Sequence, residues 1–300
     1  MALPNGAIRC WSALGSKIII LVFGKTGQVA TELQLLREVK ALSRTDADLS
    51  DPQGCANAIQ HYSPRAVINA AAYTAVDAAE DEEHIANIIN GEAPTAMANA
   101  CSTLGIPLVH ISTDYVFEGT GETAWSPSDP TSPKNAYGRS KLVGEAGIRQ
   151  SSAIYAILRT SWVVSAHGTN FVKTMLRLSE TQDELNVVAD QIGGPTPASA
   201  IAAACVQIAE QLILDPSKSG TYNFSGAPDV SWAEFAAEIF EQAGKLVVVK
   251  PILTADYPKR AQRPLNSRMV CSAMEQVFRI KRPDWREGLK MILRDLRVSS

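Results

Sequence analysis

"IIILVFGKTGQVATEL", residues Ile18–Leu33, joins an apolar run, a turn with two glycines and a stretch with helical spacing. Its tripeptide Gly24-Lys25-Thr26 resembles the end of a P-loop, which requires the pattern G-x-x-x-x-G-K-[ST]. The place of the first glycine is taken by Ile19, inside the apolar run, so no loop is long enough to wrap a β-phosphate. The stretch instead predicts a buried strand that turns directly into the N-terminus of a helix.

The spacing Gly24-x-x-Gly27-x-x-Ala30 fits such a strand–turn–helix unit. The first glycine allows a tight turn, the second lets the backbone approach a pyrophosphate, and Ala30 permits close packing of helix on strand. Free N–H groups at the helix start would face the negative charge. A purely structural turn is the alternative, and the pattern therefore needs support from elsewhere in the chain.

Composition excludes several classes of protein. A net charge of -3 and a charged fraction of 20% predict neither a nucleic-acid-binding surface nor a polyacidic tail. Five scattered cysteines without a C-x-x-C pair argue against a disulfide framework or zinc site, and for a reducing compartment. The longest apolar run is too short to span a membrane, and residues 1–16 lack the features of a signal peptide. We therefore expect a cytoplasmic protein with no membrane or nucleic-acid partner.

Short apolar runs alternate with helical patterns, which is typical of βαβ units and predicts an α/β fold with a parallel sheet covered on both faces. Strands are expected at Lys17–Phe23, Ala66–Ala70, Leu108–Thr113, Ile154–Val163, Leu185–Val188 and Tyr222–Phe224. Helices are expected at Gln28–Leu36, Asp51–His61, Ala86–Leu104, Tyr137–Gln150, Phe171–Ser179 and Ala198–Leu214.

The alternating pattern weakens after about Val163, where loops rich in glycine and proline begin. Ser231 and Glu234 form a capping-box pattern that opens a further helix. We expect an N-terminal extension at 1–16, a dinucleotide-binding domain at 17–165, and a mainly substrate-binding domain at 166–300, from which some strands return to the main sheet.

Tyr137 and Lys141 lie four positions apart, so a helix would place both on one face. A free phenol titrates near ~10, and a neighbouring cation lowers its pKa toward the range in which acid–base catalysis is efficient. An exposed helix that carries both residues by chance is the alternative interpretation.

A third candidate comes from "HISTDYVF", His110–Phe117, where an apolar strand ends on Ser112 and Thr113. Doubly wound sheets bind ligands at this carboxyl edge, and a hydroxyl there can donate to a substrate carbonyl. A turn-forming Ser-Thr-Asp is the alternative. The preceding strand ends in small side chains, Asn69 to Ala72, which leave room for a flat cofactor.

The ordered motifs GKTGQVATEL, VINAAAYTAVDAAE, HISTDYVF, NAYGRSKLVGE, LRTSWV, GGPT and RPLNSR resemble the dTDP-4-dehydrorhamnose reductases. This family belongs to the extended short-chain dehydrogenase/reductase superfamily, and the resemblance runs from about Lys17 to about Leu296. It implies a Rossmann-type doubly wound parallel sheet with a smaller, mostly helical C-terminal substrate domain. It also implies NADPH-dependent reduction of the C4 keto group of dTDP-4-dehydro-L-rhamnose to dTDP-L-rhamnose.

The resemblance assigns a role to each matching position. Thr113 would hold the carbonyl oxygen, Tyr137 would protonate it, and Lys141 would bind the nicotinamide ribose and lower the pKa of the phenol. The implied cofactor contacts are Gly24, Lys25, Thr26, Gly27, Gln28, Val29, Ser43, Arg44, Asp48, Leu49, Ala71, Ala72, Tyr73, Thr74, Tyr137 and Lys141. The implied substrate contacts are Thr113, Asp114, Tyr115, Trp162, Arg263 and Arg268, the two arginines suiting a diphosphate.

The sequence departs from the family pattern in two ways. Where an acidic residue would bind the ribose of NAD, this chain has Ser43 followed by Arg44, which favours NADP, with NAD as the alternative. The segment 41–48 also looks shorter than in relatives, which blurs the assignment of Asp48 and Leu49. Some relatives are linked to magnesium, but no carboxylate cluster with ligand spacing occurs here, so we expect no metal.

Two other functions stay open at this stage. One is a regulatory subunit that binds a dinucleotide without turnover, as in a related subunit of methionine adenosyltransferase. The other is a sugar-nucleotide epimerase or dehydratase, for which Asp114 is suggestive but Tyr115 stands where a dehydratase has a second carboxylate. For a reductase, as for an epimerase or dehydratase, the partner is a nucleotide-sugar substrate. A homodimer is the assembly considered.

Overall fold

The structure is a computed structural model that describes residues 20–297, so the expected extension and the first residues of the Lys17–Phe23 strand lie outside it. The strands are β1 Ile20–Phe23, β2 Lys40–Leu42, β3 Ala66–Asn69, β4 Pro107–Thr113, β5 Ile154–Thr160, β6 Val163–Val164, β7 Glu184–Val188, β8 Ile192–Gly193, β9 Thr196–Pro197, β10 Gly220–Asn223, β11 Val230–Ser231, β12 Val248–Ile252 and β13 Asn266–Ser267. The helices are α1 Gln28–Leu36, α2 Pro52–Tyr62, α3 Glu83–Asn87, α4 Ala93–Leu104, α5 Ala136–Gln150, α6 Phe171–Leu178, α7 Ala198–Leu214, α8 Trp232–Gln242, α9 Ser272–Phe278 and α10 Trp285–Asp295.

Two expected elements are interrupted. The helix predicted at Ala86–Leu104 consists of α3, a π-helical segment at Ile88–Glu92, and α4. The strand predicted at Ile154–Val163 breaks at Trp162, whose φ of +48° is incompatible with an extended chain. A single π-helical turn leaves the hydrophobic pattern of the helix almost unchanged, so the first break was not predicted. The same pattern carries no information on the φ angle of one residue, so the break at Trp162 was not predicted either.

The central sheet is parallel, with the strand order β10-β5-β4-β3-β1-β2. Alternate residues of β1 enter different cores: Ile20 and Val22 pack with α1 and α7, while Leu21 and Phe23 pack with α2 and α4. Covering both faces with helices explains why the strands read as continuous apolar runs. The α/β doubly wound architecture is confirmed.

The later part of the chain builds a further core from α6, α8 and α10 against β7 and β12. The capping box of Ser231 and Glu234 is present at the start of α8, as predicted. Two later elements return to the main sheet, since α7 packs on it and β10 pairs with β5. The division into domains at residue 165 stays a prediction.

Helix α5, which carries Tyr137 and Lys141, approaches the Ile88–Glu92 segment backbone to backbone. A Cβ atom at Gly144 would lie 2.1 Å from the carbonyl oxygen of Asn90. In the first turn of the helix, a Cβ atom at Gly138 would lie 2.3 Å from the carbonyl oxygen of Tyr115. Only glycine allows this approach, which sets the depth of α5 beside the end of β4.

We expect Gly144→Ala to destabilise the protein by about 2–3 kcal/mol, because the new methyl group meets a backbone oxygen that cannot move aside. The matched control is Gly27→Ala, where a Cβ atom meets nothing within 4 Å and φ is -71°. Urea unfolding of both variants measures the difference. Equal stability of the two variants would contradict this account of α5.

Candidate active site

The carboxyl ends of the central strands border a cleft of about 780 Å³. Most of the predicted site residues line this cleft: Gly24, Lys25, Thr26, Gly27, Gln28, Val29, Ser43, Arg44, Asp48, Leu49, Ala71, Ala72, Tyr73, Thr74, Thr113, Asp114, Tyr115, Tyr137, Lys141 and Trp162. The structure does not place Arg263 or Arg268 in its lining. The cleft thus joins the glycine turn to the Tyr-x-x-x-Lys helix, while the role of each residue stays a prediction.

At the glycine turn, Gly24 has a φ of +106°, a conformation that only glycine adopts readily. Gly27 precedes α1, and no side chain among residues 20–297 caps the first turn of that helix. The first N–H groups of α1 are therefore available to an anion. The Gln28 side chain has an additional role that the sequence did not predict, since its Oε1 accepts hydrogen bonds from Ser165 and Asn170 across the cleft.

Beyond β2, the Ser43 hydroxyl donates to the carboxylate of Asp46 at 2.6 Å. This hydrogen bond and one from the Ser43 backbone N–H lower the pKa of Asp46. Arg44 is exposed, and it adds to the backbone N–H of Ser50 in lowering the pKa of Asp48. The cationic side chain of Arg44 therefore lies at this end of the cleft, beside the Ser43 hydroxyl, which is already hydrogen-bonded to Asp46.

At the other end, the Thr113 hydroxyl donates to Asp114 Oδ1 at 3.1 Å and accepts the backbone N–H of Tyr115 at 3.2 Å. Burial raises the pKa of Tyr137 to about 12, although a hydrogen bond with Thr113 lowers it. Burial also raises the pKa of Asp114 to about 6, against hydrogen bonds from Ser267 and Thr113. The Tyr115 ring packs edge-on against Tyr137 at 5.5 Å between centroids.

Lys141 is buried, and its Nζ donates to the Ile111 carbonyl at 2.7 Å and lies 3.1 Å from Nε2 of His110. Burial lowers the pKa of Lys141 to about 8, while Glu145 raises it. The expectation that Lys141 lowers the pKa of Tyr137 stays a prediction, because burial is the largest cause of the raised pKa of the phenol. Helical spacing puts both residues on one face. The Lys141 amine is nevertheless hydrogen-bonded to a carbonyl of β4, and burial has the largest effect on the pKa of the Tyr137 phenol.

Trp232 was missed by the sequence analysis and lines the same cleft. Its indole stacks on that of Trp162, with centroids 3.6 Å apart and planes at 11°. Trp162 adopts a left-handed backbone, which is strained for a large residue and is common at functional sites. The two residues are far apart in the chain, and no local pattern signals their contact.

The two arginines expected at a diphosphate bind protein groups. Arg263 pairs with both carboxylate oxygens of Asp77, at 3.1 and 2.7 Å. Arg268 donates to Asn266 Oδ1 at 3.2 Å. The sequence could not reveal the Asp77 pair, because Asp77 lies in a loop after β3 and Arg263 near the C-terminus.

A buried ion pair supports the end of the cleft that holds Thr113 and Tyr137. Glu145, on α5, accepts two hydrogen bonds from Arg159 on β5, at 2.9 and 2.6 Å. It also accepts from Ser112 at 2.7 Å and from Arg149 at 2.9 Å. Burial alone would raise the pKa of Glu145, but these donors, Arg159 foremost, hold it below its usual range. The cluster fastens α5 to the end of β4.

Among residues 20–297, no three His, Cys, Asp or Glu side chains come together as a metal site. Nor does any helix in this range have the length and apolar character needed to cross a membrane.

The family model of the RmlD substrate binding domain matches residues 18–298. A dTDP-4-dehydrorhamnose reductase of Sinorhizobium fredii is 41% identical over 284 residues, which cover 91% of this chain and 96% of that protein. The chain belongs to the dTDP-4-dehydrorhamnose reductase family. A reductase of Escherichia coli K12 is 39% identical over 291 residues, covering 92% of this chain and 97% of that protein.

The solved structures of this reductase family agree. The reductase of Bacillus anthracis in complex with NADP superposes with a TM-score of 0.87 at 33% identity, covering 93% of this chain and all of that one. The Clostridium acetobutylicum reductase gives a TM-score of 0.86 at 34% identity, covering 93% and 99%. The resemblance read from the motifs is confirmed, and membership places the chain among the oxidoreductases.

We expect Arg159→Met to cost about 3–5 kcal/mol at neutral pH, because it leaves the Glu145 carboxylate buried without its main partner. In the wild type, the lowered pKa of Glu145 contributes stability that is present above the usual Glu pKa and is lost as pH falls. In the variant, burial raises that pKa, and the deficit therefore shrinks toward acidic pH.

Unfolding at several pH values measures this deficit, with Arg177→Met, an exposed arginine of α6, as the control expected within about 0.5 kcal/mol of wild type. A deficit that stays constant with pH would show that Glu145 does not depend on Arg159 for its charge.

Proposed function

We propose that this protein reduces the C4 keto group of dTDP-4-dehydro-L-rhamnose with NADPH to give dTDP-L-rhamnose. The observation that carries the proposal is one cleft with the glycine turn at one end and Thr113, Tyr137 and Lys141 at the other. Further support comes from the relatives named as reductases of this substrate and from the NADP complex of the Bacillus anthracis protein.

The residues of the cleft suit a dinucleotide. The open space in front of Gly27 and the uncapped start of α1 would take the pyrophosphate, with Arg44 at the adenosine end. The small side chains of Ala71 and Ala72 leave room at the end of β3 for a flat ring. When bound, NADPH supplies the hydride that C4 of the sugar receives.

Tyr137 is the proton donor in this proposal. With a pKa raised to about 12, its phenol keeps its proton at physiological pH, which is the form that a reductase needs. The carbonyl oxygen becomes a stronger base than phenolate as C4 is reduced, so the proton moves from Tyr137 to that oxygen. The substrate gains a hydroxyl group that keeps this proton, and the phenolate afterwards takes up a new proton from solvent.

The substrate side of the cleft offers Asp114, Tyr115 and the stacked pair of Trp162 and Trp232, which we propose as sugar-nucleotide contacts. Arg263 stays a proposed diphosphate contact, and a diphosphate there would compete with the Asp77 carboxylate. Arg268 stays a proposed contact on the resemblance alone.

The decisive experiment mixes the protein with NADPH and a panel of 4-keto-6-deoxy sugars on different nucleotides, and follows absorbance of the reduced cofactor. We expect oxidation to be fastest with the dTDP-linked L-sugar. Cofactor binding without oxidation would identify a regulatory subunit. Cofactor that survives dialysis at full occupancy, with isomerised sugar and no net oxidation, would identify an epimerase.

We expect Tyr137→Phe to lower the turnover number by about 10²–10⁴-fold, because it removes only the transferred proton. The dissociation constant of NADPH, measured by fluorescence titration, should change no more than a few-fold. Tyr257→Phe, at an exposed tyrosine, is the matched control. A near-normal rate in Tyr137→Phe would place the acid elsewhere.

We expect Arg44→Ala to raise KM for NADPH about tenfold or more, since a charge-assisted hydrogen bond to the 2′-phosphate is lost. KM for NADH should be unaffected. Steady-state kinetics with both cofactors provide the measurement, and Arg65→Ala, another exposed arginine, is the control. Equal effects on the two cofactors would exclude a 2′-phosphate contact.

A further inference from the structure

Three buried polar side chains form a row below the catalytic end of the cleft. Asn69 ends β3, His110 lies opposite it on β4, and Lys141 reaches the same strand from α5. The Asn69 amide lies 3.1 Å from His110 Nδ1, and Lys141 Nζ lies 3.1 Å from His110 Nε2. His110 therefore bonds on both sides of its ring, and its tautomer is set by its neighbours.

The orientation of the Asn69 amide follows from a backbone group. The N–H of Ala71 donates to Asn69 Oδ1 at 3.1 Å, so the amide nitrogen is the atom that faces His110. An amide nitrogen only donates, and Nδ1 of His110 must therefore accept. Burial, followed by the charge of Lys141, lowers the pKa of His110 well below its usual range, so the ring is neutral. Its single proton lies on Nε2.

The Nε2–H group faces Lys141, and this decides which form of the lysine fits. An ammonium has three donors and no acceptor, so it cannot accept a hydrogen bond from Nε2–H. The neutral amine can accept from His110 while it donates to the Ile111 carbonyl at 2.7 Å. Every group in the row is satisfied only when Lys141 is an amine.

We propose that His110 is a positioning residue for Lys141, presenting Nε2–H to Nζ and thereby stabilising the amine over the ammonium. This inference rests on the proposed function, in which Tyr137 donates the proton, and on the role implied by the family resemblance, in which the charge of Lys141 assists that phenol. His110 then sets the pH at which Lys141 changes charge, and thus the alkaline limb of activity.

The other charged and titratable groups near this row act differently. Glu145, one turn along α5, favours the ammonium, but it is paired with Arg159 from β5. Asp114, in the turn after β4, influences Tyr137, which shares α5 with Lys141. Burial and His110 therefore oppose Glu145 in setting the charge of Lys141.

The tautomer of His110 is measured directly by long-range ¹⁵N–¹H NMR of the histidine-labelled full chain between about pH 6 and 9. The signal is assigned by its absence in His110→Gln. We expect a neutral ring with its proton on Nε2 at the alkaline end of this range, above the Lys141 pKa of about 8, where the lysine is an amine that can accept from Nε2–H. A proton on Nδ1, or an imidazolium, at that end of the range would overturn the proposal.

The effect on Lys141 is measured from the titration of its ¹³Cε signal, assigned by its absence in Lys141→Met. His110→Leu should raise the pKa of Lys141 by about one unit or more, and His61→Leu, at an exposed histidine of α2, should leave it unchanged. An unchanged or lower pKa in His110→Leu would refute the role. The wild-type tautomer decides the matter if His110→Leu does not fold.

Turnover separates this inference from the proposed function. In an active protein, the alkaline limb of the pH profile of kcat should move to higher pH in His110→Leu and stay in place in His61→Leu. Absence of any turnover in the wild type would refute the proposed function, while both NMR measurements would still decide the role of His110.

Discussion

The close approach of α5 to the Ile88–Glu92 segment is the constraint on which the whole site depends. Gly144 has no room for a side chain against the Asn90 carbonyl, so the depth of α5 is set by backbone contact. Tyr137 and Lys141 lie on this helix, and their positions beside the end of β4 follow from that depth. The Glu145 cluster then fastens the same helix to the strand that carries Ser112 and Thr113. A rigid support of this kind is what acid–base chemistry requires.

Burial at this end of the cleft favours neutral forms of both reactive groups. The pKa of Tyr137 is raised and that of Lys141 is lowered, and burial is the largest cause of each shift. A neutral phenol is the correct reactant for protonating a carbonyl oxygen, so no phenolate is needed before the reaction. In the proposed reaction, the lysine would act as the phenol gives up its proton, when a nearby cation stabilises the phenolate. With its pKa lowered to about 8, Lys141 can therefore change its charge near physiological pH, and the fold does not fix it as an ammonium.

Much of this organisation could be predicted from local patterns, and the remainder depends on contacts between distant segments. Glycine spacing and periodicity predicted α1 and α7 to the residue. The rule that ligands bind at the carboxyl edge of parallel strands predicted which loops lie together, and these loops line one cleft. The π-helical segment was missed because its composition is that of a helix. The Trp162–Trp232 stack, the partner of Arg263 and the bonding of Lys141 to β4 were missed because each joins separate elements. Such pairings depend on how the elements pack and leave no signal in either stretch alone.

The central claim is that Tyr137 delivers a proton to the oxygen at C4 of a sugar held beside the nicotinamide ring. A crystal structure with NADP and dTDP-L-rhamnose tests it most directly. The account predicts the pyrophosphate at the Gly24–Gln28 turn and the C4 oxygen within hydrogen-bond reach of the Tyr137 hydroxyl, roughly 2.6–3.2 Å. A C4 oxygen bonded to another group, with the Tyr137 hydroxyl out of reach, would contradict it.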